Sequence, residues 1–172
     1  FDTTSSYMTV QGAYAVWARA ALYFGAVDSS FYAAAGTAAK WVIDNGTASP
    51  VSAAAFKASY LADNASNSLF ELAYSGTDNT SINGLGYILR GGSYGDVRIL
   101  TGPATGADDI YDVFEADAAT DVRFTVNGMI GLMDGGQPTL IGKYPSVNGS
   151  DNLTLFRIEE MHLIYAETQL RA

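Results

Sequence analysis

The last seventeen residues of the chain, 156–172, constrain its fold most strongly. Their apolar side chains recur at the three- and four-residue spacing of an α-helix with one broad buried face. Glu167 and Arg171 stand four residues apart with the acid first, an order that stabilises a helix by roughly 0.2–0.5 kcal/mol. The small Ala166 beside the bulky Tyr165 indicates that a second helix approaches closely. This stretch therefore predicts a helix that forms one half of a helical pair.

The first quarter of the chain has the pattern of a helical hairpin. Over residues 7–25, apolar residues line both sides of a predicted helix, so we expect it to be packed on both sides. A second helix follows and stops at Asn45-Gly46, a typical helix end. Residues 7–46 therefore form the predicted hairpin. Trp17 and Trp41 fall at core spacing on its two helices, and both are predicted to pack in the interior.

The C-terminal stretch also carries a family signature. It reads Arg157-Ile158-Glu159-Glu160-Met161, then Leu163 and Ala166-Glu167, with Lys143-Tyr144 and a polar loop before it. This string resembles the C-terminal signature of SusD/RagB-like proteins, the outer-membrane nutrient-binding lipoproteins of gram-negative bacteria. Upstream segments follow the family's order, including a strand after Asn67 and the Asp121-x-Arg123 triplet that marks a turn.

The resemblance implies a mainly α fold, with tetratricopeptide-like helical pairs, a minor β component and long irregular loops. It implies one partial SusD-like domain over residues 1–172, in which 67–150 is a loop-rich ligand-side region and 151–172 is the terminal repeat helix. The charged signature residues are interpreted as structural ion pairs or caps, in particular Arg157, Glu160 and the Asp121 and Arg123 pair.

The function implied by the resemblance is binding without catalysis, with no cofactor and no metal. A SusD-like protein captures an oligosaccharide, or less often a peptide, at the external face of the outer membrane. It passes the ligand to a SusC-like TonB-dependent porin, over which it sits like a lid. The parent protein would be lipid-anchored through an N-terminal cysteine.

Composition limits the partners further. The net charge of −9 argues against nucleic acid and anionic membrane surfaces, because both require a basic face. The chain has no cysteine, so it has neither a disulfide framework nor a cysteine-ligated metal site. No run of about 18 apolar residues is present, which predicts no membrane span. The chain starts at Phe1 without a signal segment, and we interpret it as a piece of a longer protein.

Candidate ligand-binding residues lie in the glycine-rich stretch 76–106. Tyr87 and Tyr94 have no helical spacing there, and tyrosine rings stack on the flat C–H faces of sugars. Polar side chains able to bond sugar hydroxyls flank these tyrosines: Asn83, Arg90 and Asp96. Packing of the tyrosines in the loop interior is the alternative interpretation.

Two other function classes stay open at the level of sequence. Acidic residues cluster at Asp108, Asp109, Asp112, Glu115, Asp117 and Asp121. Two of them in a cleft would suit a glycoside hydrolase, whereas a solvated helix face is the simpler interpretation. A helical-repeat adaptor that binds protein is the other class. The single histidine, His162, lies three residues after Glu159, and we interpret it as a surface residue rather than a metal ligand.

Overall fold

The computed structural model describes residues 6–89, 110–117, 119–123, 131–132, 138–139, 142–146 and 148–171. The chain divides into two compact units, each discontinuous in sequence. The first unit contains Phe1–Pro50, Asn64–Ala73 and Leu153–Ala172, and the second contains Val51–Asp63 and Tyr74–Asn152.

The described helices, in chain order, are α1 (Val10–Phe24), α2 (Phe31–Asn45), α3 (Ala58–Leu61), α4 (Leu85–Ile88), α5 (Ile110–Ala116) and α6 (Ile158–Arg171). Single 3₁₀ turns lie at Ala53–Ala55 and Ser81–Asn83. The described strands are β1 (Ser68–Leu72), β2 (Gly131–Leu132), β3 (Pro138–Thr139) and β4 (Leu153–Arg157), and they pair antiparallel as β1 with β4 and β2 with β3. The prediction of a mainly helical fold with a minor β component is confirmed.

In the hairpin of α1 and α2, the buried side of α1 carries small side chains. Thr9 caps the helix, its hydroxyl accepting a hydrogen bond from the backbone N–H of Gly12 at 3.1 Å. Residues with small side chains are buried along this side: Gly12, Ala15, Ala18 and Ala21. The prediction of packing on both sides is wrong within this structure, because the side with the large apolar residues is exposed.

The two tryptophans have different environments. Trp41 on α2 lies parallel to the ring of Tyr14 on α1, with 4.0 Å between ring centroids. Its predicted packing role is confirmed. Trp17 is 50% exposed, so its assignment to the interior is wrong for this structure. The close approach of α1 and α2 uses alanine contacts and leaves the indole of Trp17 on the outer side.

The final helix starts later than predicted. Leu153–Arg157 forms β4, which pairs with β1 in a register that places Phe156 opposite Phe70 and Leu153 opposite Leu72. The prediction of a helix throughout 151–172 is therefore corrected, since α6 begins only at Ile158. Ile158, Met161 and Ile164 bury one face of α6 in the core that α1 and α2 also form. The helix α6 packs mainly against α2, so its partner lies within this chain.

Polar residues of the signature connect strands and helices. Asn67 is buried just before β1, and its amide donates to Glu159 Oε1 at 2.9 Å and accepts from Arg157 Nη1 at 3.1 Å. Glu160 pairs with Arg19 of α1. The interpretation of Arg157 and Glu160 as structural residues is confirmed, because both bond to segments about a hundred residues away in sequence or more.

A buried acid, Glu71, stabilises the turn before β1. Glu71 is 1% exposed, and its Oε2 accepts a hydrogen bond from the backbone N–H of Asn64 at 2.9 Å. Asn64 has a φ of 54°, in the left-handed region that asparagine tolerates better than most residues. Thr154 of β4 donates its hydroxyl to the other carboxylate oxygen of Glu71 at 3.4 Å. The alternation predicted for this strand therefore buries one carboxylate for a structural purpose.

Replacing Gly36 with alanine is expected to lower the free energy of unfolding by about 1 kcal/mol, although alanine favours a helix over glycine. The added Cβ would lie 2.6 Å from the hydroxyl oxygen of Thr168 on α6. Urea denaturation of Gly36→Ala, Thr168→Ala and the double variant tests this contact. We expect the double variant to recover part of the loss, and strictly additive losses would contradict the steric reason.

The second unit is made of short elements. Ser52 caps the 3₁₀ turn Ala53–Ala55, and α3 follows, so the short helix predicted after Pro50 is present in two pieces. Helical turns, rather than strands, occupy residues 81–88 of the predicted loop region. The strands β2 and β3 pair antiparallel, and the turn predicted between them lies outside the described residues. No helix in the described parts of the chain is long and apolar enough to cross a membrane.

Candidate functional site

The frame of the candidate site is a contact between two backbone segments of the second unit. A Cβ built on Gly86 of α4 would meet the carbonyl oxygens of Tyr144, at 2.6 Å, and of Ser146. A Cβ on Gly84 would lie 2.6 Å from the Cα of Gly149. Only glycine allows these two segments to pack backbone against backbone.

Side chains hold the second of these segments in a compact turn. Asp151 accepts a hydrogen bond from the backbone N–H of Ser146 at 2.8 Å. Gly149 has a φ of 71°, which is the left-handed conformation expected of the predicted turn around residue 149. Thr80, next to the 3₁₀ turn Ser81–Asn83, donates its hydroxyl to the carbonyl oxygen of Gly149 at 3.4 Å. The turn at 146–151 and the segment before α4 are thus joined by both packing and hydrogen bonds.

An aromatic and basic group, which we call the tyrosine cluster, lies on this frame: Tyr60, Tyr87, Lys143 and Tyr144. The ammonium nitrogen of Lys143 is 5.7 Å from the ring centroids of both Tyr60 and Tyr144. This is within the range of cation–π attraction. Tyr87 is included in the cluster because it directly follows Gly86, which packs against the carbonyl oxygen of Tyr144. All four residues are half-buried.

This arrangement has the chemistry of a sugar-binding surface. Partly exposed phenol rings stack on the C–H faces of pyranose rings, and phenol hydroxyls and an ammonium group hydrogen-bond sugar hydroxyls. Phe56, which lies just before α3, packs its ring edge-on against the ring of Tyr60, with 5.4 Å between the centroids. The ring of Tyr60 is therefore packed against a second aromatic ring.

The structure describes only two of the five ligand residues predicted from the sequence. Asn83 is exposed at the end of its 3₁₀ turn, and Tyr87 is half-buried in α4. Arg90, Tyr94 and Asp96 lie outside the described residues, so their assignment to the site stays a prediction. Sequence reasoning missed three members of the tyrosine cluster as ligand residues: Tyr60, Lys143 and Tyr144. The Lys143-Tyr144 pair was visible in the family signature, but Tyr60 looked like an ordinary helix residue.

The acidic residues are arranged as a solvated surface. Asp112, Glu115 and Asp117 are exposed on or directly after α5, which confirms the solvated-face interpretation for these three. Asp108 and Asp109 lie outside the described residues. Asp121 accepts hydrogen bonds from both the backbone and the guanidinium of Arg123. These bonds lower the pKa of the Asp121 carboxyl below its ordinary value, and they confirm the predicted structural ion pair.

The remaining chemical candidates lie in the first unit. His162 is exposed on α6, as predicted for a surface histidine. A cavity of about 310 Å³ lies between α2 and α6, lined by Tyr32, Ala33, Gly36, Thr37, Lys40, Tyr165, Thr168 and Gln169. Lys40 at its edge pairs with Asp44, and Arg171 beside it pairs with Glu167 and lies over the Tyr32 ring. Both cations near this cavity are thus engaged in ion pairs.

Comparison with solved structures identifies the architecture. The chain matches a SusD superfamily protein from Bacteroides thetaiotaomicron VPI-5482 with a TM-score of 0.72 and 21% identity, over 99% of this chain and 39% of the other. It matches a candidate sugar-binding protein from Bacteroides vulgatus ATCC 8482 with a TM-score of 0.71 and 19% identity, over 98% and 37% of the two chains.

A second SusD superfamily protein from Bacteroides vulgatus ATCC 8482 has a TM-score of 0.66 and 20% identity, over 90% of this chain and 35% of its own. The chain therefore spans well under half the length of each of these structures. No protein-family model matches the chain, and no curated protein matches it. The fold of this chain is that of part of a SusD-like protein.

Proposed function

We propose that this chain is the helical and loop-bearing part of a non-enzymatic protein that binds oligosaccharides at the bacterial cell surface. The observation that carries the proposal is the tyrosine cluster, with the Lys143 ammonium 5.7 Å from two half-buried tyrosine rings. The fold it shares with SusD superfamily proteins supports the same class of function. The net charge of −9 favours neutral over acidic oligosaccharides, because polyanionic ligands would be repelled.

The rest of the proposal concerns the whole protein. We propose a lipid-anchored parent at the external face of the outer membrane, which delivers its ligand to a SusC-like TonB-dependent transporter. A peptide is the less favoured ligand, because tyrosine rings suit the flat C–H faces of sugars. Copurification of the parent protein with the transporter would test the partnership, and sedimentation of the transporter without it would count against it.

Replacing Tyr144 or Tyr87 with alanine is expected to weaken oligosaccharide binding about 3- to 10-fold each, the effect of losing one stacked ring. Isothermal titration against a panel of neutral oligosaccharides measures this, with thermal denaturation to show that each variant remains folded. The matched control is Tyr23→Ala, since Tyr23 is an exposed tyrosine of the first unit. Equal losses in the control and the cluster variants would contradict the assigned site.

Assays for new reducing ends separate this proposal from a glycoside hydrolase. We expect the same oligosaccharides that bind to remain uncleaved after long incubation. Release of sugar that is abolished by Asp112→Asn would instead favour the acidic cluster as a catalytic site.

A further inference from the structure

Some asparagines of the chain are followed directly by glycine: Asn45, Asn83, Asn127 and Asn148. Such a pair is open to one reaction, in which the backbone nitrogen of the glycine attacks the side-chain carbonyl carbon of the asparagine. Glycine favours the attack because it has no Cβ to crowd its nitrogen. Asn127 lies outside the described residues. The surroundings of the other three pairs differ, and the differences determine which pair reacts in the folded chain.

In two of these pairs the attacking nitrogen is engaged. The N–H of Gly46 donates to the carbonyl oxygen of Val42 at 2.8 Å, and the N–H of Gly84 donates to that of Ser81 at 2.9 Å. Asn45 also donates its side-chain amide to a carbonyl oxygen of α2 at 2.9 Å, which directs the amide back along the helix and away from Gly46. Attack in either pair must first break a backbone hydrogen bond, which slows it about fivefold.

At Asn148 the side-chain carbonyl is activated instead. Its oxygen accepts hydrogen bonds from the hydroxyl of Ser146 and from the backbone N–H of Ser150, the latter at 3.2 Å. Two donors on one carbonyl oxygen stabilise the negative charge that attack on the carbon places there. No acceptor for the N–H of Gly149 lies among the residues that the structure describes. The nucleophile and the carbonyl are therefore both prepared.

The hydroxyls of Ser146 and Ser150 reinforce this arrangement. Their oxygens are 2.8 Å apart. Because the Ser146 hydroxyl donates to Asn148, the Ser150 hydroxyl must donate to Ser146, so the two bonds run in one direction. Hydrogen bonds in such a chain polarise one another, which strengthens the donor at the Asn148 carbonyl. Asn148 is also exposed, so water and dissolved base reach it.

Asn79 separates the effect of the turn from that of the glycine. Its side-chain oxygen accepts from the backbone N–H of Ser81 at 3.0 Å, the same bond to the second residue onward that Asn148 makes. Thr80 follows Asn79, however, and its branched Cβ crowds the attacking nitrogen. Within the described part of the chain, Asn148 alone combines the bonded carbonyl with a following glycine.

We propose that Asn148 is a site of spontaneous modification, which converts to aspartate and isoaspartate while the protein is folded. A base in solution removes the proton of the Gly149 N–H, and the nitrogen bonds to Cγ of Asn148. The bond between Cγ and Nδ2 breaks, and the amide leaves as ammonia with a proton from water. Water then opens the cyclic imide at either of its carbonyls, which gives the two products. The inference does not depend on glycan binding.

Either product alters the turn at 146–151. Aspartate adds a negative charge three residues from Asp151, whose carboxylate already accepts the backbone N–H of Ser146. Isoaspartate adds one atom to the main chain directly before Gly149, where the Cα is 2.6 Å from a Cβ built on Gly84. A contact between two backbones cannot absorb an additional atom without a shift. Accumulated modification therefore loosens the frame on which the tyrosine cluster lies.

Peptide mapping by mass spectrometry during incubation in mildly alkaline buffer tests the proposal. Trypsin releases Asn148 on the peptide 144–157 and Asn45 on the peptide 41–57, and fragmentation locates each converted residue. In the folded chain we expect Asn148 to convert about tenfold faster than Asn45 and Asn83. In urea, where the three pairs lose their structural differences, their rates should become similar. Asn79 should persist in both conditions.

A change at Ser146 tests the activation separately. Ser146→Ala removes the hydroxyl donor and should slow conversion of Asn148 severalfold while Asn45 keeps its rate. Ser146→Thr retains the hydroxyl and is the matched control, with circular dichroism to show that both variants are folded. Equal rates at Asn148, Asn45 and Asn83 in the folded chain, or conversion of Asn148 in urea alone, would overturn the proposal. An unchanged rate in Ser146→Ala would refute the activation by this turn.

Discussion

Replacing Arg19 with alanine is expected to lower the free energy of unfolding by about 3 kcal/mol. The guanidinium donates to both carboxylate oxygens of Glu160 at 2.5 Å and to the carbonyl oxygen of Leu155 at 2.6 Å. Its central carbon lies 3.7 Å from the centroid of the Phe156 ring. One side chain thus joins α1 to β4 and to α6, and its hydrogen bonds with Glu160 raise the pKa of Arg19.

The matched control for Arg19 is another ion pair of the same unit. Lys40 pairs with Asp44 within α2, where the two side chains are 52% and 49% exposed, against 32% and 30% for Arg19 and Glu160. Lys40→Ala should therefore lower the free energy of unfolding by less than about 0.5 kcal/mol. Urea denaturation measures both changes. Equal losses for Arg19→Ala and Lys40→Ala would show that the three-way junction contributes no more than a surface pair.

A double-mutant cycle refines the Arg19 result. Glu160→Ala alone leaves the guanidinium bonded to Leu155 and stacked on Phe156. We therefore expect the double variant to be only slightly less stable than Arg19→Ala, with a coupling energy of about 1–2 kcal/mol. Independent, additive losses would contradict the bidentate geometry.

Replacing Gly86 with alanine is expected to destabilise the second unit by about 3 kcal/mol and to weaken oligosaccharide binding in parallel. The new Cβ would overlap the carbonyl oxygens of Tyr144 and Ser146. Main-chain atoms cannot rotate away as a flexible side chain can, so the segment must shift. That shift displaces Tyr144 and Lys143 from Tyr60, which disrupts the proposed binding surface.

Gly76→Ala is the control for the Gly86 prediction. Nothing lies within 4 Å of a Cβ built at Gly76, so its replacement should change stability by less than about 0.5 kcal/mol. Hydrogen exchange of the second unit, measured with denaturation, distinguishes local loosening from global unfolding. A Gly86→Ala protein with unchanged exchange and unchanged binding would show that the backbone contact does not position the cluster.

Local patterns predicted most of the secondary structure. The helical hairpin of α1 and α2 was evident from its apolar spacing, and its end at Asn45-Gly46 is where α2 stops. The strand after Asn67 was also correctly predicted from its alternating side chains. Such signals depend on residues two to four positions apart, and those neighbours are the same in any tertiary fold.

Residues 153–157 were mispredicted because their pattern fits two structures. Ile158 and Met161 have the spacing of a helix face, and the helix was extended back from them to residues that also suit a strand leading into it. Hydrogen bonding to β1, about eighty residues earlier in the chain, stabilises the extended conformation of these residues. The spacing of apolar residues within 153–157 carries no information about a partner strand that far away in the sequence.

The candidate site was only partly predictable for the same reason. Tyr87 and Asn83 were proposed from a loop composition that favours binding residues. Tyr60 joined the cluster only because Lys143 lies near its ring, at 5.7 Å from the centroid. The two residues are separated by most of the second unit's sequence, and no periodic signal connects them.

By itself, the sequence determined the hairpin of α1 and α2, the strand after Asn67 and most of α6, that the chain is mainly helical, and which signature residues have a structural role. The tertiary structure alone decided that α1 buries its alanine side rather than its aromatic side, that Arg19 pairs with Glu160, and that Lys143 lies beside Tyr60. Propensity, capping and turn geometry act between near neighbours in the chain. The choice of a face or a partner depends on which distant segments pack together, and that is settled only when the whole chain has folded.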